Sequence, residues 1–286
     1  MYSSRQAWLF VLPALLLYGA FVAFPILQVA VYSMFSWDNG SIKAFGGLSN
    51  YTRLVSDNVF WTALGHNAIW AVLTLCFPLL IGLVLASILA ERSPRLVKIM
   101  SAVYFLPRTI PLVVAGIIWG WIYNPIFGLL NYLLDMVGLG SWGGAWLAEP
   151  GSALISLNAA GAWTFYGFCV LIYLSAIQSI DPSLYEAASL DGASWAQRFR
   201  FITVPLLKST TLFLGLYSAI EAMRFFDLVW VTTQGGPGYD TEVLTTHIYK
   251  TFFLVGDFGY AAALSVVLLV IVLFVGGLSY RILRQP

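Results

Sequence analysis

Three ionisable residues stand at helical spacing inside an apolar stretch, and they are the first candidates for chemistry. Glu221, Arg224 and Asp227 occupy positions i, i+3 and i+6 between Thr210 and Val231. On one helix, Arg224 can pair with either acid, one turn away. Ionisable side chains within a membrane cost roughly 2.5 to 3.5 kcal/mol each on insertion scales and usually face a bundle interior. The spacing predicts a self-neutralised Arg224–Asp227 pair and leaves the deeper Glu221 carboxylate available to hydroxyl groups.

The histidines and cysteines are not spaced for metal or redox chemistry. His66 and His247 have no Cys or second His at metal-ligand spacing. Cys76 and Cys169 each lie in an apolar stretch, where a packing role is expected and a disulfide framework is not. We therefore expect no metal site, no catalytic residues and no bond chemistry in this chain.

The elements that position these residues follow from a composition suited to lipid. Of the 286 residues, 60% are hydrophobic, 16% aromatic and only 9% charged, whereas about a quarter of a soluble domain is charged. A membrane-spanning helix needs about 20 apolar residues. Six continuous stretches have that length: Trp8 to Phe35, Ala68 to Ala90, Ile99 to Tyr123, Ala153 to Ala176, Thr210 to Val231 and Tyr260 to Ile282. We predict an all-α integral membrane protein with six transmembrane helices.

Basic residues are distributed unevenly across these six predicted spans. One side carries Arg5, Arg92, Arg95, Lys98, Arg198, Arg200, Lys208, Arg281 and Arg284, and the other carries Lys43, Arg53 and Lys250. Because basic loops mark the cytoplasmic side, we predict that both termini and the loop around Glu186 are cytoplasmic. The net charge of +1 gives no reason to expect a nucleic-acid partner.

The loop from Gln178 to Pro205 is the longest predicted cytoplasmic segment and has clear internal order. Asp181 can cap a short helix, Gly192 can end it, and Ser194 can cap a second helix. We therefore predict a helix–turn–helix at the membrane surface. On physical grounds alone, an interfacial helix or a simple connector is as good an interpretation as a docking element.

The residues of this loop also follow a family pattern. The pattern consists of Glu186-Ala187-Ala188, Asp191-Gly192-Ala193, Phe199, Ile202 and Pro205. It resembles the "EAA" signature of the permease subunits of bacterial and archaeal ATP-binding cassette (ABC) importers. Residues 179–207, called the EAA loop below, would then be the coupling loop.

The resemblance extends along nearly the whole chain to the first permease of the carbohydrate-uptake group, which includes maltose and glycerol-3-phosphate importers. The matching segments are Gly47 to Tyr51, Asn124-Pro125, Gly128 to Asn131, Phe226 to Leu228 and Gly235 to Pro237. The resemblance implies the type I ABC importer permease fold in a prokaryotic cytoplasmic (inner) membrane. It divides the chain into residues 1–67, one helix with an extracytoplasmic loop, and residues 68–286, a core of five helices with the EAA loop.

The resemblance also implies partners. They are a second homologous permease, two ATP-binding subunits, an extracytoplasmic solute-binding protein and the lipid bilayer. ATP and Mg would be bound by the partner ATPase, and this chain would bind no cofactor. The residues that would contact or shape the ATPase-coupling surface are Glu186, Ala187, Ala188, Asp191, Gly192, Trp195, Phe199 and Pro205.

Positions that contact sugar in maltose-type permeases transfer to the two spans that flank the EAA loop. They become Gly161, Thr164, Phe165 and Phe168 on the fourth span and Ser218, Glu221, Ala222 and Phe225 on the fifth. Gly161, Ala222 and Phe168 stand where the maltose type has amides and a tyrosine, which argues against maltose itself. Trp163 and Tyr166 can offer an aromatic face for a pyranose ring, although aromatics at helical spacing usually face lipid or the core. Whether Arg108 lines the cavity or extends outward stays open.

The implied function is ATP-driven import of a sugar, an oligosaccharide or a polyol derivative by alternating access. The alternative is a stand-alone secondary transporter or channel driven by an ion gradient. That class predicts coupling carboxylates and an inverted repeat, and no convincing repeat is visible. An exporter or membrane enzyme would need a fused ATPase or a catalytic constellation, and the sequence contains neither.

Overall fold

The computed structural model describes residues 4–38 and 41–283, and helices make up most of this part of the chain. The α-helices are α1 Ser4–Tyr18, α2 Phe24–Tyr32, α3 Ser49–Ser56, α4 Asn58–Ala90, α5 Pro94–Thr109, α6 Leu112–Ile122, α7 Leu129–Met136, α8 Ser152–Gln178, α9 Pro182–Leu190, α10 Trp195–Arg198, α11 Val204–Leu206, α12 Lys208–Met223, α13 Asp227–Thr232, α14 Leu244–Tyr249 and α15 Phe258–Leu283. Short π-helices occur at Gly19–Ala23, Phe199–Thr203 and Lys250–Val255, and a 3₁₀ turn at Gly140–Trp142. The strands β1 Phe35–Asp38 and β2 Ser41–Phe45 form an antiparallel hairpin.

Four long helical segments are apolar enough to cross a membrane. They are Phe10–Tyr32, Asn58–Ala90, Ser152–Gln178 and Phe258–Gly277, and they correspond to the first, second, fourth and sixth predicted spans. Two further candidates are bent pairs: α5 with α6, at 94°, and Trp195–Leu206 with α12, at 67°. The described residues thus contain four to six candidate spans, which confirms a helical membrane protein.

The third predicted span, Ile99 to Tyr123, is not one straight helix. It is divided between α5 and α6 at Ile110, whose φ and ψ of −78° and 129° are extended. Pro111 follows, and a proline disfavours helical geometry at the residue before it. The prediction of a continuous helix was wrong here, although the proline that breaks it was visible in the sequence.

The fifth predicted span, Thr210 to Val231, is also interrupted. Helix α12 ends at Met223, and α13 begins at Asp227 after a non-helical Phe226. Side chains from elsewhere bind the carbonyls at this break: Asn67 Nδ2 donates to Ala222 O at 2.6 Å, and Thr245 Oγ1 donates to Phe225 O at 2.5 Å. These bonds replace the helical acceptor role of the two carbonyls, so the interruption has a tertiary cause.

The described residues form two compact units, one reaching to Phe60 together with His247–Ile271, and the other built mainly from Trp61–Thr246. The second unit holds both candidate sites. One part of its core surrounds α8, where Cys169, Val170 and Tyr173 are fully buried beside α4.

Helices approach closely at two glycines of the second unit, and at Gly167 the approach requires glycine. A Cβ at Gly167 of α8 would overlap the carbonyl oxygen of Tyr104 on α5, so only glycine fits there. At Gly116 of α6, a Cβ would lie 3.4 Å from the side chains of Leu228 and Val231 on α13. Helix α5 therefore packs tightly on α8, and α6 packs on α13.

In the first unit, polar side chains connect α3 and its end to α14 and α15. Asp57 accepts hydrogen bonds from Tyr260 OH at 2.5 Å and from Val59 N–H at 2.8 Å, and it lies 3.1 Å from His247 Nε2. Burial raises the pKa of the Asp57 carboxyl, but these bonds outweigh burial and hold the pKa below its usual 3.8. The charged carboxylate therefore stabilises the unit at neutral pH, and this contribution is lost as the pH falls through the lowered value.

The histidines and cysteines have ordinary structural environments. His66 Nδ1 is 2.8 Å from Glu242 O, and His247 contacts Asp57. Cys76 is exposed, Cys169 is buried, and both are free thiols. Across residues 4–38 and 41–283, no three His, Cys, Asp or Glu side chains are grouped as a metal site would require.

Candidate functional site

The EAA loop folds as the helix–turn–helix that its sequence predicts. The Asp181 carboxylate caps α9 by accepting a hydrogen bond from Ser183 N–H at 3.0 Å, and that bond lowers the pKa of the carboxyl. Gly192 then turns the chain with a φ of +75°, a left-handed conformation that favours glycine. Ser194 and Gln197 form a capping box that starts α10.

The EAA loop has two arms, α9 before Gly192 and the helical residues 195–206 after it. The second arm changes helical pitch before the chain re-enters the bundle. After α10, the Val204 N–H bonds to Phe199 O five residues back, which makes a π-turn. Trp195 and Phe199 stack with ring centroids 5.2 Å apart and an interplanar angle of 11°. Both rings are half-buried, so they fix the second arm from within.

Three contacts that the sequence did not predict hold the two arms and the bundle together. Tyr185 OH lies 3.0 Å from Thr203 Oγ1, joining the arms. Arg198 donates to Ser189 Oγ at 2.6 Å and forms an ion pair with Glu91 at 3.0 Å. Glu91 directly follows α4 and is 107 residues from Arg198 in sequence, a separation at which a single sequence gives no signal of pairing.

Several residues of the EAA loop have little contact with their own chain. Glu186, Ala187, Asp191, Gly192 and Pro205 are exposed, and Leu190 is 90% exposed. Over the described ranges, the Glu186 carboxylate makes neither a hydrogen bond nor an ion pair. Beneath the loop is a cleft of about 790 Å³, whose lining includes Glu91, Tyr185, Glu186, Trp195 and Arg198.

A second, much smaller cavity lies deeper in the same unit. Its volume is about 40 Å³. The structure brings seven predicted solute-path residues together around it: Gly161, Thr164, Phe165, Ser218, Glu221, Ala222 and Phe225. Four residues outside that prediction complete the lining: Trp70, Thr74, Arg108 and Leu112.

The other three predicted solute-path residues do not line this cavity. Phe168 packs on Tyr217 at 5.3 Å between ring centroids. Trp163 packs edge-on against Trp119 at 5.8 Å, and Tyr166 packs against Tyr104 at 6.1 Å. In this conformation the three rings are part of aromatic contacts around the cavity.

The polar groups of the small cavity are only partly bonded to the protein. Thr164 Oγ1 donates to Gly161 O at 2.8 Å and Ser218 Oγ donates to Gly215 O at 2.9 Å, which leaves the oxygen lone pairs of both as acceptors. The Glu221 carboxylate forms no hydrogen bond within residues 4–38 and 41–283. The rings of Trp70 and Phe225 lie 4.0 Å apart and give the cavity an aromatic wall.

The predicted charge cluster does not form. Because the helix breaks after Met223, Arg224 caps α12 and Asp227 starts α13, so they no longer share one helix face with Glu221. No ion pair joins these three residues in the described part of the chain. Arg224 and Asp227 are exposed, and Glu221 alone lines the cavity.

A sequence profile and curated relatives match most of this chain. Residues 78–285 match the profile described as "Binding-protein-dependent transport system inner membrane component". The lactose transport system permease protein LacF of Rhizobium radiobacter is 34% identical over 99% of this chain and 96% of its own length. The trehalose/maltose transport system permease protein MalF of Thermococcus litoralis is 32% identical, over 94% and 90%.

Solved structures of a bacterial ABC transporter resemble the fold along almost its full length. One, described as importing the acidic polysaccharide alginate, superposes with a TM-score of 0.81 at 26% identity and covers 97% of this chain and 96% of its own. A bacterial alginate ABC transporter in complex with an alginate pentasaccharide-bound periplasmic protein gives a TM-score of 0.82 at 25% identity, with 98% and 96% covered.

Proposed function

Since the chain belongs to the family of binding-protein-dependent transport system inner membrane components, it is an ABC importer permease subunit, and we propose that it carries a sugar, an oligosaccharide or a polyol derivative into the cytoplasm by alternating access. The observation that carries the choice of solute is the small cavity between α8 and α12. Seven residues predicted from sugar permeases converge there, and relatives with matching length are named for lactose and for trehalose and maltose.

The chemistry of this cavity suits a carbohydrate. The Glu221 carboxylate and the hydroxyls of Thr164 and Ser218 supply acceptors for solute O–H groups. The rings of Trp70 and Phe225 supply an apolar face of the kind on which a pyranose packs. This combination of a few polar groups and aromatic walls is typical of small-molecule sites.

The size of the cavity indicates which state of the cycle the structure represents. The volume of about 40 Å³ is far below the roughly 300 to 1,000 Å³ of a typical small-molecule pocket. A sugar ring does not fit, so this is a state in which the solute site is closed. Alternating access would open it by separating α8 from α12.

We propose that the EAA loop couples conformational changes of the ATPase to this permease. Its exposed Glu186, Ala187 and Leu190 form a surface with few contacts to the chain itself, as a docking element requires. The capped helix and the glycine turn give this surface a fixed shape. ATP and Mg would be bound by two partner ATP-binding subunits, with a second permease and an extracytoplasmic receptor completing the importer.

The test of coupling is Glu186→Lys in the whole importer, reconstituted in proteoliposomes with ATP. Reversal of the charge on the docking surface should abolish solute uptake while the separate receptor still binds solute. Asp135→Lys, at an exposed acid on the side predicted to be extracytoplasmic, is the matched control and should transport normally. Normal ATP-dependent uptake by Glu186→Lys would refute the coupling role.

A further inference from the structure

Arg108 brings to the small cavity a half-buried positive charge that forms no ion pair within the described ranges. It lies next to last in α5, two residues before the break at Ile110, and it lines the cavity together with Glu221. Within residues 4–38 and 41–283, no carboxylate lies within ion-pair distance of its guanidinium. A guanidinium stays charged at every physiological pH, and burial of a charge is costly unless the charge finds a partner.

The contacts that Arg108 makes hold it in place without satisfying it. Its Nη2 donates to Tyr217 OH at 3.1 Å. Its Cζ lies 5.7 Å from the ring centroids of both Phe165 and Phe168, within cation–π range. A guanidinium carries five N–H donors, and the structure records a hydrogen bond for one. Two phenyl rings and a phenol therefore orient a group whose donors remain available.

These observations point to a ligand that brings its own negative charge. Building on the proposed function, we propose that the solute is an acidic carbohydrate, with a carboxylate, sulfate, sulfonate or phosphate group that binds Arg108. The planar guanidinium fork matches such oxyanions with two parallel hydrogen bonds. Glu221, on the facing helix α12, would accept hydrogen bonds from solute hydroxyls. One solute that carries both hydroxyls and an anionic group satisfies both residues.

Family membership does not choose between neutral and acidic solutes. The relatives named above include permeases for lactose and for trehalose and maltose, and the structural neighbour imports an acidic polysaccharide. The choice must therefore come from the residues that line the cavity of this chain. An arginine that lies beside two aromatic rings and forms no ion pair in the described part of the chain favours the acidic class.

The experiment uses the complete importer with its receptor in proteoliposomes, with ATP and Mg supplied to the ATPase. The probes are digalacturonate, galactose 6-sulfate and glucose 6-phosphate, set against neutral lactose and maltose. We expect ATP-dependent uptake of at least one acidic probe in preference to the neutral sugars. Arg108→Gln should lower kcat/KM for that probe about tenfold or more, because the solute anion then enters the cavity without a partner.

Two further variants separate a binding role from a structural one. Arg108→Lys keeps the charge but loses the fork, so it should retain uptake between that of the native protein and Arg108→Gln. Arg95→Gln removes an exposed arginine from the start of the same helix and should leave uptake unchanged. Co-elution of Arg108→Gln with the ATP-binding subunits checks assembly, and if assembly fails, Arg108→Lys carries the test.

The possible results are distinct. ATP-driven uptake of neutral sugars alone, or equal uptake of the acidic probe by the native protein and Arg108→Gln, would overturn the acidic-solute proposal and leave sugar import intact. Uptake of none of the sugars would instead count against the proposed function itself.

Discussion

At the scale of single residues, Arg198 is the side chain that connects the EAA loop to the bundle. It bonds Ser189 of α9 from the second arm and pairs with Glu91 at the end of α4. A force applied to α9 therefore has a polar path to α4. The pair is partly exposed, at 22% and 49% of the two side chains, so its contribution to stability is modest, about 0.2 to 1 kcal/mol.

We expect Arg198→Gln to reduce the amount of solute imported per ATP hydrolysed, with little loss of folded protein. The reason is that the two arms and α4 lose their connection while the apolar core stays intact. Simultaneous measurement of uptake and phosphate release gives the ratio. Arg200→Gln, at an exposed arginine two residues away, is the control and should keep the native ratio.

Charge reversal provides the stricter test of this pair. Glu91→Arg and Arg198→Glu should each lower the ratio, and the double variant should recover part of it because the ion pair is restored in reverse. Equal impairment of the single and double variants would contradict a role for the pair.

The sequence predicted the roles of single residues best where those roles depend on neighbours along the chain. The caps at Asp181 and Ser194 and the turn at Gly192 depend on neighbouring residues, and all three are present. The contact between Arg198 and Glu91, and the part of Trp70 in the cavity lining, depend on how distant segments pack. A single sequence carries no direct record of such pairings.

At the scale of elements, the packing of α5 on α8 depends on Gly167. We expect Gly167→Ala to lower the yield of folded, monodisperse protein strongly, because its Cβ would overlap the Tyr104 carbonyl and neither backbone can move without opening the core. Fluorescence-detected size-exclusion chromatography after solubilisation measures this. Gly65→Ala in α4 is the control, since a Cβ there meets no other atom within 4 Å. A normal elution profile for Gly167→Ala would contradict the packing described.

The helices illustrate the same limit of sequence reasoning. Apolar length predicted where most of the chain is helical, and four predicted spans are long helical segments. The bend at Ile110 was predictable from Pro111. The break after Met223 was not, because no proline or glycine marks it and its cause is hydrogen bonding from Asn67 and Thr245.

At the scale of the whole molecule, part of the apolar helical surface is not covered by this chain. Across the described part, the first candidate span, Phe10–Tyr32, has none of its most apolar window buried, compared with 56% for Ser152–Gln178. Lipid or a partner permease must therefore supply its contacts. The exposed residues of the EAA loop are the surface at which the proposed ATPase would bind.

Energy supply distinguishes this importer from an ion-driven transporter. In proteoliposomes that contain the full set of subunits, we expect uptake to require hydrolysable ATP and to stop with vanadate. Ionophores that collapse proton and sodium gradients should have no effect. Uptake by this chain alone, or uptake that an ionophore abolishes, would favour the secondary transporter instead.

The corner between α5 and α6 has a mechanical consequence. Helix α5 packs tightly on α8 at Gly167, and α6 is in van der Waals contact with α13 at Gly116. The extended Ile110 is where we would expect relative rotation of the two pairs to be absorbed. Arg108 lies two residues before Ile110, so rotation of α5 about Ile110 would carry its guanidinium into or out of the cavity. Grasping the solute and changing the shape of the pore would then be one movement.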